Sequence, residues 1–138
     1  AGVFGEVRNK RSLTSNAYAW TLLNQLAEKL KQPAVEIYRD LVRDVAGASD
    51  IVTIKQEAAE TFKRGWESQG QGWQVILLDT MPTPNGTFCT LQCWYGSSVY
   101  DSKQMHRLLE LIVQECQQQG IPTMTPDEIA KLKGLTGE

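Results

Sequence analysis

Apolar residues in the first third of the chain recur at helical spacing. From Ser15 to Leu30 they return every three or four positions, which predicts an amphipathic helix. Its apolar stripe consists of Ala19, Leu22, Leu23, Leu26, Ala27 and Leu30. Thr14 or Ser12 can cap this helix by accepting hydrogen bonds from free backbone N–H groups.

A second helix is predicted from Pro33, and Gly47 is expected to end it. Its buried face would hold Ala34, Ile37, Tyr38, Leu41 and Val45.

The middle of the chain changes from helical spacing to strand composition. "DIVTI" at 50–54 fits either a short strand or an extended connection, and "QEAAETFKRGWESQG" at 56–70 predicts a third helix. That helix would point Ala59, Phe62 and Trp66 inward. "WQVILLD" at 73–79 and "TFCTLQCWY" at 87–95 are rich in β-branched and aromatic residues and predict strands. "TMPTPNG" between them predicts a turn, so we expect a β-hairpin with a long loop.

Alternation within the second of these strands predicts two different faces. One face would carry Thr87, Cys89, Leu91, Cys93 and Tyr95. The other face would carry Phe88, Thr90, Gln92 and Trp94.

The last third of the chain returns to helical spacing. Residues 101–119 predict a long helix that ends at Gly120. Its apolar stripe would be Met105, Leu108, Leu109, Ile112, Val113 and Cys116. Thr125 and Glu128 form a capping box for a short final helix that stops at Gly134. Helices, then a hairpin, then helices predict an α+β fold in which helices pack on a small antiparallel sheet.

Composition places the chain among ordinary globular proteins. Its 138 residues suit a single domain over 1–138. No apolar run approaches the roughly 20 residues of a membrane span, and no secretory signal pattern is visible. Because no such run is present, we expect no membrane contact. Three cysteines without a disulfide framework favour reduced thiols, so we expect a cytoplasmic location. The chain starts with Ala-Gly, which fits a tag remnant or a truncation that removed an upstream segment.

Charge is unevenly distributed although the net charge is only -2. Residues 1–43 hold seven Lys or Arg against four Asp or Glu, a balance of +3. Residues 44–138 hold seven against twelve, a balance of -5. A polyanionic partner would therefore prefer the first segment.

The sequence gives little support for a metal-binding site or for a nucleophilic catalytic site. Cys89 and Cys93 would lie roughly 13 Å apart on one strand, too far for a shared zinc ion or a disulfide. We read the three cysteines as buried apolar side chains and predict no cofactor or metal. Candidates for a nucleophilic site lie close together in the sequence: Ser97, Ser98, Asp101 and His106. They lack a nucleophile-elbow pattern, which favours a loop and a helix cap.

A metal-dependent nuclease would need convergent carboxylates. Asp40, Asp44 and Asp50 are the candidates by residue type. Arg39 and Arg43 interleave with the first two, which is typical of a solvated charged helix face.

Nucleic-acid binding has two candidate groups. Arg8, Lys10 and Arg11 precede a helix N-terminus, which itself favours phosphate. Asn16 and Trp20 follow on one face of that helix, and an exposed Trp20 could stack single-stranded bases; otherwise it is a residue at the edge of the core. The second group lies on the outer side of the long helix and consists of Lys103, His106 and Arg107.

Two stretches resemble the NinB family of phage recombination proteins. "RNKRSLTSNAYAW" at 8–20 is similar to the family's basic strand end that runs into R-S-L-x-x-N-x-x-x-W and a helix. The matching residues are Arg11, Ser12, Leu13, Asn16 and Trp20. "GSSVYDSKQMHRLLELIVQECQQQGI" at 96–121 is similar to the family's glycine and hydroxyl turn before a helix. The family's segment before the basic strand is almost absent here, and residues 50–79 look like an insertion or a divergent middle.

The resemblance implies a recombination mediator and not an enzyme. Such proteins bind single-stranded DNA, act with the host single-strand-binding protein and help to load a recombinase, and the family is dimeric with a basic DNA channel. Carried over, Arg11, Asn16 and Trp20 belong to the DNA-binding region, and Ser97 and Ser98 lie at the turn before the long helix.

The leading hypothesis is therefore a homodimeric, non-enzymatic DNA-binding protein of phage type, in the cytoplasm of a bacterial host. Its predicted nucleic-acid-binding residues are Arg8, Lys10, Arg11, Asn16, Trp20, Ser97, Ser98, Lys103 and Arg107. One alternative is a protein-interaction module of a phage or mobile element without DNA contact, and another is a small metal-dependent nuclease.

Overall fold

The computed structural model describes residues 14–132, which form two compact units. Residues 14–37 and 101–132 make up the helical unit, and Tyr38–Tyr100 make up the sheet unit. The boundary falls within a helix, Ala34–Val42. A single domain over 1–138 stays a prediction.

The helical unit is built on two long amphipathic helices. Helix α1 spans Ser15–Leu30, with the bounds that the sequence predicts. The Thr14 hydroxyl caps it by accepting the Ala17 N–H at 3.0 Å. Lys31 ends α1 in the left-handed conformation. The second helix of the chain, α2, spans Ala34–Val42.

The sheet unit contains three antiparallel strands and one covering helix. Strand β1 spans Ser49–Lys55, helix α3 Gln56–Glu67, strand β2 Gln74–Thr83 and strand β3 Gly86–Trp94. The strand order is β1-β3-β2, so β3 is central and the other two strands are edges. A 3-10 turn, Ser97–Val99, follows the sheet.

Helix α4 spans Ser102–Gln118 and α5 spans Pro126–Ala130, both in the helical unit. Asp101 and Gln104 form a capping box at the start of α4, and the predicted box of Thr125 and Glu128 starts α5. Helices α1 and α4 pack against each other through their apolar stripes. The residues buried there include Leu22, Leu23, Leu26, Leu108, Leu109 and Ile112. The helices and the three-stranded sheet confirm the α+β class.

One face of the sheet carries the core of the sheet unit. Cys89, Leu91 and Cys93 are buried there, as the alternation along β3 predicts. Helix α3 covers this face with Ala59, Phe62 and Trp66, the three residues predicted to point inward. The cysteines of the chain are free and buried.

Two details of the strands differ from the prediction. The hairpin loop is short, because β2 continues to Thr83 and β3 starts at Gly86, which leaves only Pro84 and Asn85 between them. Pro82 fits within β2 because an edge strand needs its backbone N–H groups on one side only. The "DIVTI" stretch is the other edge strand, β1, paired with β3 along its whole length.

Helix α2 ends earlier than predicted. It stops at Val42, and a turn with hydrogen bonds from Asp44 and Val45 back to Leu41 and Val42 follows. Gly47 adopts φ 78° within the connection to β1, where an L side chain would be strained. The predicted stop at Gly134 lies outside the described residues.

Of the helices within residues 14–132, none combines the length and the hydrophobicity that crossing a bilayer requires.

Candidate nucleic-acid interface

The start of α1 presents two of the predicted binding residues at the surface. Asn16 is exposed and Trp20, one turn later, is half-buried. Ser15 and Ala19, which directly precede these two residues, are buried, so the Asn16 and Trp20 side lies beside the apolar stripe. Arg8, Lys10 and Arg11 lie outside the described residues, so the cationic part of this candidate site is not described.

A tyrosine fixes the start of α1 against the end of α4. The Tyr18 hydroxyl accepts a hydrogen bond from the Met124 backbone N–H at 2.7 Å. Burial raises the pKa of Tyr18, and the Cys116 thiol and the Glu128 carboxylate act in the same direction, whereas the Met124 hydrogen bond lowers it. Since Cys116 lies in the last turn of α4, α1 and α4 run antiparallel. A carboxylate and the last turn of α4 are therefore the neighbours of the first turn of α1.

The second cationic group lies at the other end of this helix pair. Lys103 and Arg107 are both exposed in the first turns of α4, and Arg107 pairs with Glu110 at 3.4 Å. Arg107 precedes Cys116 by nine residues, which corresponds to about 14 Å along a helix. The structure therefore separates Lys103 and Arg107 from Asn16 and Trp20.

A shallow cleft lies between α4 and α5. Its lining mixes apolar side chains with an imidazole, an amide and a carboxylate: His106, Glu110, Val113, Gln114, Pro126 and Ile129. The lining contains the Glu110 carboxylate and no lysine or arginine, which makes this cleft unsuited to phosphate.

Ser97 is held by a tyrosine of the sheet unit. The Tyr38 hydroxyl lies 2.7 Å from the Ser97 hydroxyl and accepts the Ser97 backbone N–H at 2.9 Å. Gly72 packs against the Tyr38 ring so closely that a Cβ there would lie 2.8 Å from the phenol oxygen. Ser97 therefore has a structural partner, whereas Ser98 is exposed. The sequence pattern placed Tyr38 on a buried face but could not reveal this contact 59 residues along the chain.

An aromatic cluster supports the end of the sheet that leads to Ser97. Trp66 packs against Trp73 and Tyr95 with ring centroids 5.3 and 5.2 Å apart. The Trp66 ring nitrogen donates to the Trp94 carbonyl at 2.8 Å. Gly96 lies against the Trp73 ring, where a Cβ would approach to 2.6 Å. The backbone before Ser97 is therefore held by close packing rather than by an open loop.

A buried amide ties α2 to β2. The Gln74 side chain is only 2% exposed. It accepts from Arg43 at 2.9 Å and donates to the Arg39 carbonyl at 2.9 Å. Arg43 also pairs with Asp40 at 2.7 Å, which accounts for one carboxylate of the nuclease hypothesis.

The remaining titratable groups show no arrangement for nucleophilic or metal chemistry within the described residues. No group of three or more metal-ligating side chains occurs among residues 14–132. Burial raises the pKa of the Cys116 thiol to about 11, so this thiol stays protonated at neutral pH. Tyr95 donates a hydrogen bond to Asp50, and this bond, followed by burial, raises the pKa of Tyr95. His106 is exposed.

The described residues thus contain predicted binding residues in three elements: the start of α1, the start of α4 and the turn at Ser97–Val99. Each is positioned by a helix cap or a buried tyrosine, and none contains a catalytic constellation. Comparison of the chain with known protein families, with curated proteins and with solved structures finds no match, so any functional assignment depends on its own residues.

Proposed function

We propose that this protein is a non-enzymatic single-stranded-DNA-binding protein of phage type that mediates recombination. The proposal includes a homodimer in the cytoplasm of a bacterial host, a host single-strand-binding protein as partner, and a recombinase that the protein helps to load. These parts derive from the resemblance of residues 8–20 and 96–121 to the NinB family.

The observation that carries the proposal is the surface at the first turns of α1. Asn16 is exposed and Trp20 is partly accessible, and in the sequence Trp20 follows the last of three cations at positions 8–11 by nine residues. A partly exposed indole can stack on any base, and lysine or arginine side chains attract the phosphates of a strand. This combination favours single strands, because duplex bases have no free π-face to offer.

The test is fluorescence anisotropy with a labelled single-stranded oligonucleotide. Phosphate contacts make affinity fall steeply between about 50 and 200 mM salt. Trp20→Ala is expected to cost roughly 1–3 kcal/mol of binding through lost stacking. Gln25→Ala, at an exposed position of α1 roughly 140° around the helix from Trp20, is the matched control and should leave affinity unchanged.

Wild-type protein that does not bind at the lower salt concentration would contradict the proposal. Thermal unfolding of Trp20→Ala must accompany the titration, because Trp20 is half-buried. If Trp20→Ala lowers stability and leaves affinity unchanged, the indole is a structural residue and the α1 site is wrong.

A second candidate function is protein interaction without DNA contact. The sheet unit favours it, since residues 38–100 carry five Lys or Arg against seven Asp or Glu. An acidic surface repels a polyanion. Capture from bacterial lysate before and after nuclease digestion separates the two candidates, because a partner retained after digestion does not need nucleic acid.

A further inference from the structure

On the side of the sheet opposite α3, the row of Gln74 and Trp94 is buried, and the three rows beyond it leave large apolar side chains of the edge strands exposed. We call these three rows the open sheet face. On the two edge strands Ile51 is 61% exposed, Met81 is 51% exposed and Ile76 is 39% exposed. Phe88 on the central strand is half-buried. In the three rows that pass through Phe88, Thr90 and Gln92, two threonines and a glutamine are the uncharged polar members, and Lys55 and Asp79 are the charged members.

Strand register arranges these side chains in three cross-strand rows. Ile51 and Ile76 both lie opposite Gln92. Lys55 and Met81 both lie opposite Phe88. Directly opposed residues of antiparallel strands share a face, so each row runs straight across the sheet.

The two charged residues of the open sheet face lie on opposite edge strands. Thr53 and Asp79 both lie opposite Thr90, and the two threonine hydroxyls are 3.4 Å apart. Lys55 therefore lies on the β1 edge, and Asp79 lies one row away on the β2 edge.

Charge excludes a nucleic acid as the occupant of this face. Phosphate binding needs several cations, whereas the open sheet face carries one cation and one anion. The two charges lie on opposite edges, so the face is electrostatically complementary to its own copy when that copy is turned over about the central strand.

We propose that a second copy of this chain packs on the open sheet face, with a two-fold axis parallel to β3. This axis places β1 over β2 of the partner. Ile51 then lies over the partner's Ile76, and Lys55 comes within reach of the partner's Asp79. Two sheets packed face to face lie about 10 Å apart, a gap that side chains of this size fill.

The direction of the axis follows from charge. A two-fold axis across the strands, through the row of Thr90, would place Asp79 over the partner's Asp79, where like charges repel, and Lys55 over the partner's Ile51. The axis parallel to β3 joins opposite charges twice and apolar edge residues twice. An isologous contact of this kind repeats every favourable pair.

This inference rests on the homodimer of the proposed function and adds the surface through which the homodimer forms. The experiment is sedimentation equilibrium without DNA, over about 1 to 100 μM protein, a range that covers moderate dimer affinities. Ile76→Lys is expected to weaken the dimer at least about tenfold, because it buries an unpaired charge in the contact. Leu77→Lys is the matched control, since the next residue of β2 points to the α3 side and is 55% exposed.

Charge-reversal variants measured in the same way provide a second test of the interface. Lys55→Asp and Asp79→Lys should each weaken the dimer, and the double variant should restore it, since the opposite charges face each other again. Rescue supports this contact specifically, because a merely destabilised sheet would not recover. Circular dichroism of each variant establishes that the fold is retained.

The possible failures are distinct. A wild-type dimer that Ile76→Lys leaves intact overturns the open sheet face as the interface, while the homodimer survives. A wild-type monomer over the whole concentration range overturns both. DNA affinity is measured separately by anisotropy, so neither outcome is confused with failure of DNA binding.

Discussion

The helical unit and the sheet unit differ in how completely they bury their large apolar side chains. In the helical unit the stripes of α1 and α4 cover each other, and Leu23 and Leu109 are at most 1% exposed. All six large apolar side chains that the described residues leave exposed belong to the sheet unit: Ile51, Ile76, Leu77, Leu78, Met81 and Val99.

The difference follows from the geometry of the elements. An amphipathic helix has one apolar stripe, and a second helix suffices to bury it. A sheet has two faces, and here α3 covers only one of them. The helical unit therefore buries its apolar stripes internally, whereas the sheet unit leaves Ile51, Ile76 and Met81 exposed on the side opposite α3.

The largest expected effect contrasts a buried leucine with an exposed one. Leu26→Ala, at a fully buried position of α1, should destabilise the protein by about 2–5 kcal/mol because it leaves a cavity. Leu78→Ala, at a position 49% exposed in β2, should change stability by less than about 0.5 kcal/mol in dilute protein. Urea unfolding followed by circular dichroism measures both. Equal losses would mean that the sheet surface is buried in solution.

A smaller effect separates two glycines of the sheet unit. Gly96→Ala puts a Cβ 2.6 Å from the Trp73 ring and should cost about 1–3 kcal/mol through overpacking. Gly65→Ala in α3 meets no atom within 4 Å and should stabilise by about 0.5–1 kcal/mol. Thermal unfolding compares the two variants with wild type. A neutral Gly96→Ala would show that the aromatic cluster is loosely packed.

The smallest effect concerns two tyrosines near the turn at Ser97. Tyr38→Phe removes the hydroxyl that partners Ser97 and should cost about 1–2 kcal/mol. Tyr100→Phe removes a buried hydroxyl that has no hydrogen-bond partner, so it should be neutral or stabilising. Burial, followed by the nearby Tyr38, raises the pKa of Tyr100, which agrees with an unsolvated hydroxyl. Urea unfolding measures the free energy of unfolding of both variants. A larger loss of stability in Tyr100→Phe than in Tyr38→Phe would contradict the hydrogen-bond geometry.

Local patterns predicted most of the secondary structure because their causes are local. The bounds of α1, the box at Thr125 and Glu128, and the buried side of β3 are each set by residues within one or two turns of each other. The hairpin loop was predicted too long. Pro82 reads as a breaker in isolation, and only its place in an edge strand makes it compatible with pairing.

The candidate site was predictable only in part. Helical spacing put Asn16 and Trp20 on one side of α1, and both have accessible surface. The contact between Tyr38 and Ser97 joins residues 59 positions apart, and no local pattern carries it. The sequence predicted Lys103 and Arg107 as a second group on the long helix, and the antiparallel packing of α1 and α4 places them at the other end of the pair from Asn16 and Trp20.

By itself the sequence determined the α+β class, the helix starts and the faces that each element buries. Periodicity and caps act over a few residues, so they can be read without knowing what an element packs against. The tertiary structure alone decided that β3 lies between two edges and that α3 covers only one side of the sheet. Strand order and layer packing depend on contacts between distant segments, and these contacts leave the open sheet face exposed.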